Sequence, residues 1–198
     1  MKRKLSGMIF LSLAIFFLGK AGYMDAKAEL AQYLLKHAWQ KSLKDGVPHA
    51  PWPWADTVAL AQLSFPDLDE QFVVLSGASG RNLAFAPAHV SGSVYPGDIG
   101  VSVIGGHRDT HFLILRKLNL GDEIQLQTEL GITQHFVVND ILIADVRDSE
   151  IRLDAETPTL ALVACYPFSG LQAGGPLRYL VMAKGLSSKV PSTVPSYF

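Results

Sequence analysis

The sequence predicts an all-β domain, a small barrel or sandwich, and three observations lead to it. Short runs rich in β-branched and apolar residues recur at 59–65, 72–75, 101–104, 123–127, 133–143, 160–165 and 179–183, each about the length of a strand. Residues that favour tight turns separate them, among them Gly77, Pro87, Gly92, Pro96-Gly97-Asp98 and Asn119. Beyond residue 57 little of the chain repeats at the helical period, as in barrels and sandwiches built from short strands.

The N-terminal part follows other rules. Lys2-Arg3-Lys4 precedes an almost unbroken apolar run at 5–18, so residues 1–24 read as a signal-anchor segment with its basic end in the cytoplasm. Ala26-Lys27-Ala28 has the small-x-small form of a signal-peptidase site, and release of a soluble protein is the competing fate. Either fate places the domain outside the cytoplasm.

Residues 25–56 form an arm. Ala28, Leu30, Ala31, Leu34, Leu35, Ala38, Trp39 and Leu43 fall at helical spacing, with Asp25 as the expected N-cap and Asp45-Gly46 as the stop. This amphipathic helix is expected to pack on the domain or on the membrane surface. The stretch 48–56 (PHAPWPWAD) is too rich in proline for a helix or a central strand. Trp52 and Trp54 would share one face of an extended chain there and pin the arm to the domain.

Within the domain, 57–186, the segments 123–127 and 134–140 are expected to form a hairpin around 129–131. Residues 110–118 (THFLILRKL) have room for one or two helical turns, and the tail at 187–198 is expected to be poorly ordered. With 17 Lys and Arg against 18 Asp and Glu, and no basic stripe, nothing favours nucleic acid as a partner.

The chain has one cysteine, Cys165. Outside the cytoplasm cysteines tend to come in pairs, and a leftover one points to a reactive thiol or an intermolecular bridge. Cys165 ends the apolar run 159–165, which reads as a buried strand delivering its last residue to a barrel mouth. A thiol becomes a catalyst when a neighbour raises its thiolate fraction, usually a histidine. Of six histidines, His107 alone follows a strand pattern, Val101-Ser102-Val103-Ile104, through two glycines. His37 on the polar side of the helix, His49 in the linker, His89 in a loop and His135 facing outward from a strand read as solvated or structural. Arg178 opens the last strand. That strand is the natural antiparallel neighbour of the one ending at Cys165, which puts a permanent cation beside the thiol. A competing pattern is His107 and His111, four apart, as zinc ligands, but the glycines before His107 disfavour a helix there and no third ligand is placed.

The motifs GHRDTHF (106–112), LVACYPF (162–168) and LRY (177–179), in the order His, Cys, Arg, resemble the sortases. These are membrane-anchored cysteine transpeptidases with an eight-stranded β-barrel. The approach to the histidine, 91–122, is similar as well, and GHRDTHF with PWPWAD (51–56) looks like the subgroup of Gram-negative bacteria that serves one dedicated target protein. One position departs from the pattern, because Ala164 stands where the family's strand carries a threonine before the cysteine.

The resemblance implies that Cys165 attacks a C-terminal sorting signal of the Leu-Pro-x-Thr-Gly type, His107 serves as general acid and base, and Arg178 hydrogen-bonds the oxyanion or the substrate backbone. An amine-bearing acceptor or water would resolve the thioacyl intermediate, with no metal or organic cofactor. It implies a single-pass protein of the inner membrane with its catalytic domain in the periplasm. The alternative is a membrane-tethered periplasmic barrel that binds peptides without catalysis, using Trp52, Trp54, Tyr166 and Phe168 as an apolar groove.

Overall fold

Every predicted run becomes a strand, because each has one face that must be buried. The computed structural model of the chain describes residues 2–170 and 174–186, with side chains from Phe10 onward; the tail expected at 187–198 lies outside the described residues. The strands are β1 (Ala59–Phe65), β2 (Glu70–Ser76), β3 (Ala88–His89), β4 (Gly100–Gly106), β5 (Glu123–Thr128), β6 (Thr133–Asp145), β7 (Pro158–Cys165) and β8 (Leu177–Gly185). They close into a barrel in the order β1-β2-β3-β4-β7-β8-β6-β5. The expected hairpin joins β5 to β6, with Gln127 opposite Thr133.

Closure leaves no free edge. It also buries one parity of each strand in a common interior. Leu63, Phe65, Ile104, Ile124, Leu126, Phe136, Leu160, Leu162 and Val181 meet there with Phe112 and Leu115. Each large side chain of this set contributes roughly 1.5–3 kcal/mol relative to exposure.

Strand β3 escapes the sequence pattern, since two residues carry no period. Its place is set by neighbours, with Ala88 between Leu75 of β2 and Gly105 of β4. His89, expected in a loop, lies in β3 and is buried. Its Nε2 is 2.9 Å from the Val94 carbonyl and 3.0 Å from Ser93 Oγ, so it knots the β3–β4 connection. His135 does face outward, where its Nδ1 meets Glu123 Oε1 at 2.7 Å.

The arm differs from expectation in two respects. The helix α1 (Lys2–Asp45) is one element that runs straight through Asp25, so Asp25 caps nothing. Apolar side chains from Phe10 to Leu30 give the chain no reason to break, and most of them are exposed. Only the C-terminal third packs on the barrel: Ala38 and Trp39 lie on Ala59 and Val73, and Leu35 lies on Leu75, Ala86 and Ala88. The helix stops where expected. Gly46 takes φ 71°, which costs a glycine nothing, and Ser42 Oγ accepts from the His49 amide at 2.9 Å.

The second difference is in the linker. Residues 51–54 form a turn instead of an extended segment, yet Trp52 and Trp54 still line one pocket with Leu30, Leu34 and Phe85. Trp52 packs edge-on against Phe85, with ring centroids 5.1 Å apart, and does pin the arm. Trp54 is 82% exposed.

Candidate active site

Three neighbouring strands build the site. Strands β4 and β7 pair in parallel, with Gly106 opposite Ala164, so the next residues, His107 and Cys165, leave the ladder side by side. Strands β7 and β8 pair antiparallel with Cys165 opposite Arg178, and directly opposed residues project to the same face. Residues distant in sequence are therefore brought to one rim, as predicted from the strand order.

The face they occupy was not predicted. Ala164, Leu162 and Leu160 of β7 point into the barrel core. Cys165 has the opposite parity, shared with Ala161 and Val163, which pack outside against Val101, Val103, Ile151, Leu153 and Ala155. His107 continues the outer row of β4 and Arg178 belongs to the outer row of β8. The thiol thus stands on the outer wall at the barrel's end, beside the β6–β7 connection, and not inside the mouth. That connection (146–157) gives no strand or helix pattern. Its Leu153 carbonyl accepts from the Val101 amide at 3.0 Å, which seats it over the outer face.

Cys165 is a free cysteine and half-buried, so the residue is not sealed in the core. His107 is exposed. Arg178 is half-buried, and its Nη1 donates to the Gly175 carbonyl at 2.6 Å and to the Leu177 carbonyl at 2.9 Å. These bonds tie the guanidinium to the backbone at the start of β8. Ala164 fills the core beneath this rim, so in this chain the position before the cysteine does not face the groove.

Local packing fixes the histidine. The chain turns after β4 into a 3-10 helix, His111–Lys117, where one or two helical turns were expected. The Phe112 amide donates to the His107 carbonyl at 3.0 Å, and the fully buried Phe112 ring lies under Gly106. On the other side, Tyr166, Phe168 and Tyr179 pack ring on ring, with centroids 5.1 to 6.2 Å apart. Phe168 and Tyr179 also pack against the core, so these aromatics close the barrel end beside Cys165. They are filled by one another and do not form an open groove with Trp52 and Trp54.

His111, with Asp109, is expected from the sequence to shape the loop around His107 rather than to bind zinc. Its ring packs edge-on to Phe72 at 5.8 Å. Among the described residues no group of three His, Cys, Asp or Glu side chains gathers that could hold a metal ion. Burial, and secondarily the charge of nearby His107, hold the His111 imidazole below its usual value near 6.5. The unfolded chain therefore binds this proton more readily than the folded one. The stability from neutral His111 is fully present above pH 6.5 and is lost as pH falls below that value. His111→Gln is expected to flatten the acid limb of denaturation midpoint against pH. Parallel limbs for the two proteins would assign the acid sensitivity elsewhere.

Residues 63–186 match the family model described as a sortase domain. The chain is 30% identical over 122 residues to sortase D of Bacillus subtilis (strain 168), a match that covers 62% of this chain and 61% of that protein. It thus spans about three fifths of the length of that curated relative. Among solved structures, sortase A from Corynebacterium diphtheriae superposes with a TM-score of 0.60 at 25% identity, over 70% of this chain and 65% of that one. Sortase D5, a transpeptidase of Clostridium perfringens, gives a TM-score of 0.60 at 21% identity, over 79% of this chain and 96% of that one.

Proposed function

Because this chain belongs to the sortase family, we propose that it is a cysteine transpeptidase that cleaves a C-terminal sorting signal and transfers the acyl fragment to an amine. One observation supports this above the others: Cys165 stands opposite Arg178 and one residue past the Gly106–Ala164 pair that leads to His107.

The chemistry follows from that arrangement. The Cys165 thiolate attacks the carbonyl carbon of the scissile Thr–Gly bond in a Leu-Pro-x-Thr-Gly-like signal. Arg178 donates to the oxyanion or to the neighbouring backbone. The C–N bond breaks as the His107 imidazolium gives its proton to the leaving amine, which leaves a thioester on sulfur. An amine-bearing acceptor then attacks the thioester, His107 takes the proton back, and the thiolate leaves; water in place of the amine gives hydrolysis. The residues present require no metal or organic cofactor for these steps.

Mass spectrometry of the full chain after incubation with C-terminal peptides tests nucleophile and motif together. A mass increase equal to the acyl fragment, lost on adding an amine, is the expected result. Binding without covalent capture would instead make the domain a peptide-binding module. Arg178→Lys is expected to lower kcat/KM by roughly 10²–10³-fold, the effect of losing one oriented oxyanion donor, since a point charge cannot replace a planar fork. Wild-type turnover in that variant would remove Arg178 from the mechanism.

The reading includes a membrane tether. Among the described residues no helix is long and apolar enough to cross a membrane. Support comes from the basic Lys2-Arg3-Lys4, the apolar run behind it, and the exposed Phe10, Ile15, Phe16, Phe17 and Leu18 of α1, which no part of the barrel covers. The proposed location is the inner membrane, with the catalytic domain in the periplasm facing one dedicated target protein. Release of the protein from membranes by salt alone, without detergent, would refute the tether and leave the catalytic proposal intact.

A further inference from the structure

Arg108 follows the proposed acid/base histidine, yet its side chain is only 9% exposed. Its Nη2 donates to the Gly170 carbonyl at 2.6 Å, across 62 residues of sequence. Gly170 lies five residues beyond Cys165, in a turn closed by its own amide on the Pro167 carbonyl at 3.1 Å. The guanidinium rests on bare backbone: a Cβ at Gly170 would stand 3.1 Å from Arg108 Nη1, 3.3 Å from Nη2 and 3.2 Å from the Pro167 carbonyl oxygen. A side chain there would crowd the guanidinium, which would have to give way by a few tenths of an ångström.

The position of this bond gives it meaning. The ladder between β4 and β7 ends at Gly106 and Ala164. His107 and Cys165 both lie one step past that end, where ladder hydrogen bonds no longer fix their separation. Arg108 to Gly170 ties the two departing segments together beyond the ladder.

We propose that Arg108 is a positioning residue, whose guanidinium clamps the segment after Cys165 to the turn presenting His107 and so sets the thiol–imidazole geometry. The inference rests on the reading of Cys165 and His107 as a working pair. Arg108 touches neither the substrate nor the reacting atoms in this scheme. It acts through the backbone, by holding Gly170.

The test uses the full chain in detergent and iodoacetamide as probe, with Cys165 as the sole alkylation site of interest because it is the sole cysteine. The alkylation rate is followed across the pH range in which thiol and imidazole titrate, beside peptide turnover and the melting temperature. In Arg108→Ala the alkylation profile is expected to shift, and kcat to fall about tenfold or more with KM changing less than about threefold, since small misplacements act on the chemical step. Arg108→Lys restores part of kcat, because an ammonium can still reach one carbonyl. Gly170→Ala reproduces the defect from the other partner, and the losses of Arg108→Ala and Gly170→Ala combined do not add, as expected for two groups in one contact.

A folded Arg108→Ala protein with a lowered melting temperature but wild-type profile and kcat would overturn the proposal, leaving Arg108 a merely structural residue. Should Arg108→Ala not fold, wild-type behaviour of both Arg108→Lys and Gly170→Ala would overturn it equally. His107→Gln separates the two layers of inference. A wild-type alkylation profile there defeats the thiol–imidazole pair itself, whereas a shifted one beside an unchanged Arg108→Ala defeats only the clamp.

Discussion

Cys165→Ala is expected to lose the thioacyl intermediate altogether and to lower peptide cleavage by at least about 10⁴-fold, the scale seen when a nucleophile is removed from a catalytic unit. The residual rate would come from binding and polarisation by groups such as Arg178. The measurement is intact-protein mass after incubation with a sorting-signal peptide, together with the rate of peptide cleavage. The fold should be untouched, because Cys165 is half-buried at a strand end and its sulfur fills no part of the barrel core. Unchanged cleavage in a well-folded Cys165→Ala protein would sink the nucleophile assignment. His107→Gln supplies the companion result: since the histidine both protonates the leaving amine and deprotonates the acceptor, acylation and resolution should both slow.

Gly106→Ala is expected to destabilise the chain through a single methyl group. An added Cβ would lie 2.5 Å from Phe112 Cγ and 2.7 Å from its Cδ2. Phe112 is fully buried in the main core cluster, so the ring cannot swing aside as an exposed side chain would. Either the ring or the end of β4 must move. Overpacking of this kind costs typically about 1–3 kcal/mol, and here the strand end carries His107. A shift of about 1 Å at a catalytic group can cost on the order of 10²-fold in rate, so activity should fall further than stability alone explains. Denaturant melts and peptide turnover measure the two separately. Phe112→Leu in the Gly106→Ala background should recover part of both by giving the methyl room. Wild-type melting of Gly106→Ala would show that the end of β4 is more yielding than its packing indicates.

Legibility of this molecule in its sequence divides along the range of the interactions concerned. Seven of the eight strands appear as short apolar runs set off by turn residues, since strand length and composition are local properties of the chain. Strand β3 is absent from that pattern because two residues hold no period and are fixed by Leu75 and Gly105 on other strands. The break expected at Asp25 failed for a related reason. A capping residue permits a helix to start, but nothing in α1 compels the preceding apolar turns to stop.

The site was legible in composition and order: one cysteine, one histidine after a strand and two glycines, one arginine opening the neighbouring strand. Strand order and chain direction suffice to bring such residues to one end of a sheet. What the sequence by itself determined, then, is which residues could meet and the short apolar runs that carry them. Only the tertiary structure decided the side of the wall on which they meet, the aromatic plug beside Cys165, the ring of Phe112 beneath Gly106 and the reach of Arg108 to Gly170. Those depend on barrel closure, which sets parity against a shared interior and brings together segments that no local pattern connects.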